Sequence, residues 1–114
     1  LKRSSRLTRG DEIKCVRRKG ISFAHHAVVL GFLPNQLQLN ENRVAITAGR
    51  SVGGAVQRNL AKRRLRSAYR YYETNLQQGY DLVLIARKPI LEADYQSLLD
   101  GLKTLFDQAG LMKE

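Results

Sequence analysis

The chain has 114 residues, of which 43% are hydrophobic, and carries a formal net charge of +10. That length suits one domain with a true core, and no apolar run approaches the roughly 18 residues needed to span a bilayer. Cys15 is the only cysteine, which excludes an internal disulfide and a cysteine-based zinc site and fits a reducing compartment, so a cytoplasmic location is expected.

The N-terminal LKRSSRLTRG has no apolar stretch and is no secretory signal. Residues 1–7 read as a mobile basic arm. Thr8-x-x-Asp11 has the form of a helix N-cap, and a short helix bearing Ile13 and Val16 should follow and stop at Gly20. Ser22 to Leu33, SFAHHAVVLGFL, is rich in strand formers and ends at Pro34-Asn35. Strand alternation along it turns Ala24, Val28, Leu30 and Phe32 toward a core. Phe23, His25, Ala27, Val29, Gly31 and Leu33 then face the other way. A polar loop leads to a second strand, RVAITAG, from Arg43.

After Gly53-Gly54 the period changes. Ala61, Leu65, Ala68 and Tyr72 form one helical stripe, flanked by Tyr69 and Leu76. Gly79 ends this helix. Asp81 to Pro89 follows, and its apolar run from Leu82 to Ala86 suits a strand covered on both faces. Asp94 to Ala109 reads as a last helix with Tyr95, Leu98, Leu102, Leu105, Phe106 and Ala109 on one side and Gly110 as its stop. Gly101 within it costs about 1 kcal/mol relative to Ala. The order α-β-β-(β)-α-β-α predicts a single α+β domain over residues 1–114, a small sheet of three to four strands packed with helices.

Charge is concentrated. Residues 43–72 carry eight cations and no acid, whereas residues 73–114 carry four cations and seven acids. On a helical wheel with Arg58 at zero, Lys62, Arg66, Arg70 and Arg63 fall between about 40° and about 140°, one band beside the buried stripe. Arg64 points elsewhere, near 240°. A solvated helix face usually mixes both signs, and a membrane-surface helix needs a free apolar face that this one spends on the sheet. Phosphates supply the missing anions, and arginine offers a planar fork that suits them. Asn59 adds a neutral donor and acceptor among the cations. Gly53 and Gly54 either let backbone N–H groups approach a phosphate at the helix N-terminus or form a plain tight turn. A basic helix between strands, without a heptad partner, suits RNA read by shape and backbone better than a DNA groove, so no DNA partner is expected.

The segment GRSVGGAVQRNLAKRRLRSAYR resembles the signature of the bacterial ribonuclease P protein subunit family, Lys-Lys-x-Gly-Asn-Ala-Val-x-Arg-Asn-Arg-x-Lys-Arg-x-x-Arg. RLTRGDEIKCVRRKG resembles the family's first helix and DLVLIARKP its later strand, so the likeness covers nearly the whole chain in order. It implies a left-handed β-α-β crossover, which is rare. It also implies a protein that binds a catalytic RNA and precursor tRNA and assists removal of the 5′ leader. In that family the RNA does the chemistry with Mg2+ that it mainly holds itself, and no organic cofactor is expected. Carried over by position, Arg58, Asn59, Lys62, Arg63 and Arg66 match the signature, and Arg50, Gly53, Ala55 and Val56 match its front part. Arg70 extends the band. Gly54 stands where Asn is usual and Leu60 where a cation is usual, a loss for which Arg64 is a candidate substitute.

The family's leader cleft, between the first helix and a sheet face, maps onto Ile13, Arg17 and Gly31. Aromatics often stand there, but none of these is aromatic. Alternation adds Phe23, His25 and Val29 to the cleft, with Phe23 and the Arg17 guanidinium as stacking surfaces. His25 and His26 point to opposite faces of a strand and cannot share one metal. The acids are scattered, and no catalytic set is evident. The other readings are a ribosomal-type RNA-binding protein without a processing role and a self-sufficient nuclease.

Overall fold

Gly10–Lys19 form α1, with Asp11 and Glu12 in its first turn and Arg17, Arg18 and Lys19 in its last, an arrangement that complements the helix dipole. This computed structural model describes residues 6–7, 10–35 and 40–113. After α1 come β1 (Ile21–Ala24), β2 (Val28–Pro34) and β3 (Arg43–Ala48), then a short 3-10 helix at Arg50–Val52. Next are α2 (Ala55–Tyr72), 3-10 turns at Glu73–Asn75 and Lys88–Leu91 on either side of β4 (Tyr80–Ala86), and α3 (Tyr95–Ala109).

The sheet has four strands in the order β1-β2-β4-β3, antiparallel except for the parallel β3–β4 pair. Helix α2 lies in the connection between those two parallel neighbours. The fold is the expected α+β, but the predicted single strand over 22–33 is a hairpin. Its turn has none of the usual turn residues. The His25 N–H donates to the Val28 carbonyl (2.8 Å), and the Ala27 N–H donates to His25 Nδ1 (3.3 Å). The imidazole thus does what an Asn or Asp side chain does in a turn, binding the backbone two residues on.

Period-two alternation sorts the sheet into two faces. Leu30, Phe32, Val44, Leu82 and Leu84 join Ala61, Leu65 and Ala68 of α2 and Leu98, Leu102, Leu105 and Phe106 of α3 in the main core. Ala45 and Val83, with Leu33 and Ile85, meet Val16 and Ile13 of α1 on the other face. Strand β4 is therefore covered on both sides, as its continuous apolar run predicts. Arg6 and Leu7, expected within a mobile arm, instead lie along β3. Arg6 bridges Val44 in parallel, the Leu7 N–H donates to the Val44 carbonyl (2.9 Å), and Leu7 is 3% exposed. Burying a leucine contributes about 1.5–3 kcal/mol, enough to hold this end of the segment down. Residues 1–5 of that arm and Thr8 of the expected cap lie outside the described residues.

Helix α3 begins where Asp94 accepts a hydrogen bond from the Ser97 N–H (2.8 Å) and ends on Gly110. Gly101 has a packing reason to be glycine: a Cβ there would sit 2.5–2.9 Å from ring atoms of His25. Among the described residues, no helix is long and apolar enough to cross a membrane.

Candidate nucleic-acid interface

Helix α2 opens without a side-chain cap, on Gly54, and with no acid in its first turn. Gly53 before it has φ +144°, a conformation that L side chains rarely adopt, so this sharp entry requires glycine. The predicted stripe is buried: Ala61, Leu65 and Ala68 are inaccessible, and Tyr69, Tyr72 and Leu76 pack with them. This anchoring turns the cation band outward. Arg50, Asn59, Arg63 and Arg70 are exposed, and Arg58, Lys62 and Arg66 are half-buried. Among the described residues, the ion pairs are Arg43 with Glu12 and Asp81, and Lys103 with Asp107, so no carboxylate neutralises the band. The Arg58 Nε is shielded and has no hydrogen-bond partner among the described residues.

Arg64 does not substitute for the cation missing at Leu60. Its guanidinium donates to the carbonyls of Ile90 (2.7 Å), Leu91 (3.1 Å) and Ala93. It anchors α2 to the turn before α3, because that turn leaves carbonyls unpaired that a charged donor satisfies well.

A groove runs between α1 and the sheet. At one end a cavity of about 490 Å³ is lined by Ile13 and Arg17 of α1, Val29 of β2, Thr47 of β3, Ile85 of β4 and Arg87. A second cavity of about 410 Å³ shares Ile13 and Thr47 with it and is lined by Arg6, Arg66 and Arg70. The groove therefore leads directly to the cation band of α2. Gly31 lies on this face beneath α1, where a Cβ would meet Ser22 Oγ at 3.5 Å and Val16 Cγ1 at 3.8 Å.

Two expected cleft residues lie on the wrong face. Phe23 pairs with Leu30 in the hairpin register, so it shares the core face and stacks on Phe32 with ring centroids 6.4 Å apart. His25 sits in the turn against Gly101 of α3, and Ala27 is likewise in the main core. The hairpin caused both errors, because a turn at 25–27 resets the alternation. His25 and His26 instead line a cavity of about 610 Å³ with Glu92, Asp94 and Asp100 of the α3 side. This cavity is larger than either cavity of the groove, but its carboxylates repel a polyanion. The sequence reading missed Arg6, Thr47, Ile85 and Arg87. Alternation along β4 identifies Ile85 once the register is known; nothing local marked Arg6.

A buried clamp fixes α1 over the groove. Arg43 donates to both carboxylate oxygens of Asp81 (2.9 and 2.8 Å) and to Glu12 of α1 (2.8 Å), and Asn35 donates to Asp81 (2.8 Å). These bonds, with that to Asp81 foremost, raise the Arg43 pKa above its usual value and keep it charged.

The sequence model of the ribonuclease P family matches residues 1–110. The chain belongs to the ribonuclease P protein family. The ribonuclease P protein component of Caldanaerobacter subterraneus subsp. tengcongensis is 34% identical over 110 residues, covering 96% of this chain and 93% of that protein. The component from Symbiobacterium thermophilum is 38% identical over 113 residues, covering 99% and 97%. The RNase P protein of Thermotoga maritima shares the fold with a TM-score of 0.78 at 26% identity, over 90% of this chain and 96% of that one. As a ribonuclease P protein component, the chain is a subunit of a ribonucleoprotein endoribonuclease of tRNA processing, not a ribosomal-type protein.

Proposed function

We propose that α2 and its entry bind the catalytic RNA and that the α1–sheet groove takes the 5′ leader of precursor tRNA. The RNA contacts are Arg50, Gly53, Gly54, Arg58, Asn59, Lys62, Arg63, Arg66 and Arg70. The leader contacts are Ile13, Arg17 and Val29, joined by Arg6, Thr47, Ile85 and Arg87; Gly31 keeps α1 close. The observation that carries this reading is the band of α2 cations, unpaired with carboxylates among the described residues, at the end of a groove lined by further arginines.

The protein's part is to screen phosphate repulsion between two polyanions and to hold the leader, and the cleavage chemistry belongs to the RNA. Among the described residues, no three His, Cys, Asp or Glu side chains converge to hold a metal ion. The Mg2+ ions of the reaction are assigned to the RNA, no organic cofactor is invoked, and the protein is assigned to the cytoplasm.

Mixing the pure chain with precursor tRNA, with and without the catalytic RNA, tests the proposal. Cleavage at low magnesium is expected only when chain and RNA are both present. Cleavage by the chain alone would make it a self-sufficient nuclease, and no effect in either mixture would remove the processing role.

A further inference from the structure

We propose that the groove holds the leader by its phosphodiester backbone and discriminates little among its bases. This rests on the groove being the leader site. The chain has eight aromatic residues, five Tyr and three Phe. Six pack in the main core on the α2–α3 side of the sheet. The other two, Tyr71 and Tyr95, are 62% and 44% exposed on α2 and α3, where Tyr71 packs edge-on against Tyr72 and the Tyr95 hydroxyl meets Ser67. None lines the groove. A base that enters it therefore meets Ile13, Val29 and Ile85, which offer apolar contact but no π-face.

The polar groups point the same way. Arg17 and Arg87 stand at one end and Arg66 and Arg70 at the other, and among the described residues no Asp or Glu lines either cavity. Arg87 spends one N–H on the His25 carbonyl (2.9 Å) and keeps the rest of its fork. With no carboxylate in the lining to compete, these guanidiniums suit phosphate oxygens. The Thr47 hydroxyl can donate or accept, so it tolerates any base edge.

The test uses the particle reconstituted from the full chain and the catalytic RNA. Its ligands are mature tRNA and precursor tRNA with an intact, an abasic or a methylphosphonate leader. The abasic leader keeps its charges without bases, and the methylphosphonate leader keeps its bases without charges. The expected result is abasic binding within about threefold of intact and loss of most of the precursor's advantage with methylphosphonate. The log–log salt slopes of precursor and mature tRNA should differ by about 0.7 for each leader phosphate held. An aromatic platform would instead lose roughly 5- to 150-fold per base removed. A loss of tenfold or more on base removal, with methylphosphonate tolerated, would overturn the proposal while leaving the leader site standing. Equal binding of intact precursor and mature tRNA would overturn both. As a gain-of-function arm, Ile13→Phe should make the intact leader bind about fivefold or more tighter than the abasic one. No such gap would show that the strand does not pass over Ile13 and would also overturn the proposal.

Discussion

Replacing Arg43 by Met keeps an unbranched apolar stem but removes both bonds to Asp81 and the one to Glu12. Asp81 would keep the Asn35 amide at 2.8 Å, with no cation. Its side chain is only 6% exposed and that of Arg43 only 11%, so water cannot take the place of the lost donors. Breaking a pair at this depth by removing one partner costs roughly 3–5 kcal/mol, well above the ~0–1 kcal/mol of a surface pair. An unfolding entropy of about 2.1 cal/mol/K per residue over 114 residues makes each kcal/mol about 4 °C. The expected fall in Tm is therefore roughly 12–20 °C. Urea and thermal unfolding of wild type, R43M, D81N and R43M/D81N would measure this. The double variant should be no less stable than either single one, so the coupling should be at least as large as the roughly 3–5 kcal/mol lost in R43M. A loss under about 1 kcal/mol in R43M, or simple additivity of the two changes, would refute the reasoning.

Replacing Arg58, Lys62 or Arg66 by Ala should flatten the log–log salt dependence of RNA binding by about 0.7–0.9 each; an unchanged slope for all three would place the RNA surface elsewhere. Arg64→Met should leave that slope alone and cost about 1.5–3 kcal/mol in a urea melt, because three carbonyls lose a charged donor. The Asp94 carboxyl is held below its ordinary 3.8, chiefly by the Ser97 backbone N–H. A depressed folded pKa gives stability that is present above the unfolded value and lost as pH falls through the folded one. Asp94→Asn should therefore flatten the acid limb of the stability–pH curve, and an unaltered limb would count against this cap. Gly101→Ala adds helix propensity worth about 1 kcal/mol but drives a Cβ into the His25 ring, and overpacking costs ~1–3 kcal/mol. It should destabilise the wild type and stabilise His25→Ala; the opposite order would mean that the ring swings aside freely.

Local periodicity made α2 legible, because burial of Ala61, Leu65, Ala68 and Tyr72 follows from their spacing alone. The same stripe fixed where the cations point. The hairpin was hidden because residues 22–33 contain a turn built from a histidine side chain, with no Pro, Asn or Asp inside it. The misplacement of Phe23 and His25 followed from that single missed turn. Helical spacing alone turns Arg64 away from the band, and the structure has it there. Its partners lie 26–29 positions downstream, so its task depended on tertiary packing. The Arg43 clamp was invisible for the same reason: Glu12, Arg43 and Asp81 meet only once the parallel register of β3 and β4 is set.

Strand β3 lies at the rim of the sheet, where unpaired backbone groups invite another strand to dock. Here Arg6 and Leu7 close that rim at Val44, and Arg66 and Arg70 crowd the cavity beyond it. Two copies approaching edge to edge would force like charges together before any ladder could form. The expected consequence is that the positive ridge disfavours self-association while the chain is free of RNA. Variants stripped of these arginines lose this repulsion along with the phosphate contacts, and their tendency to aggregate should rise with protein concentration.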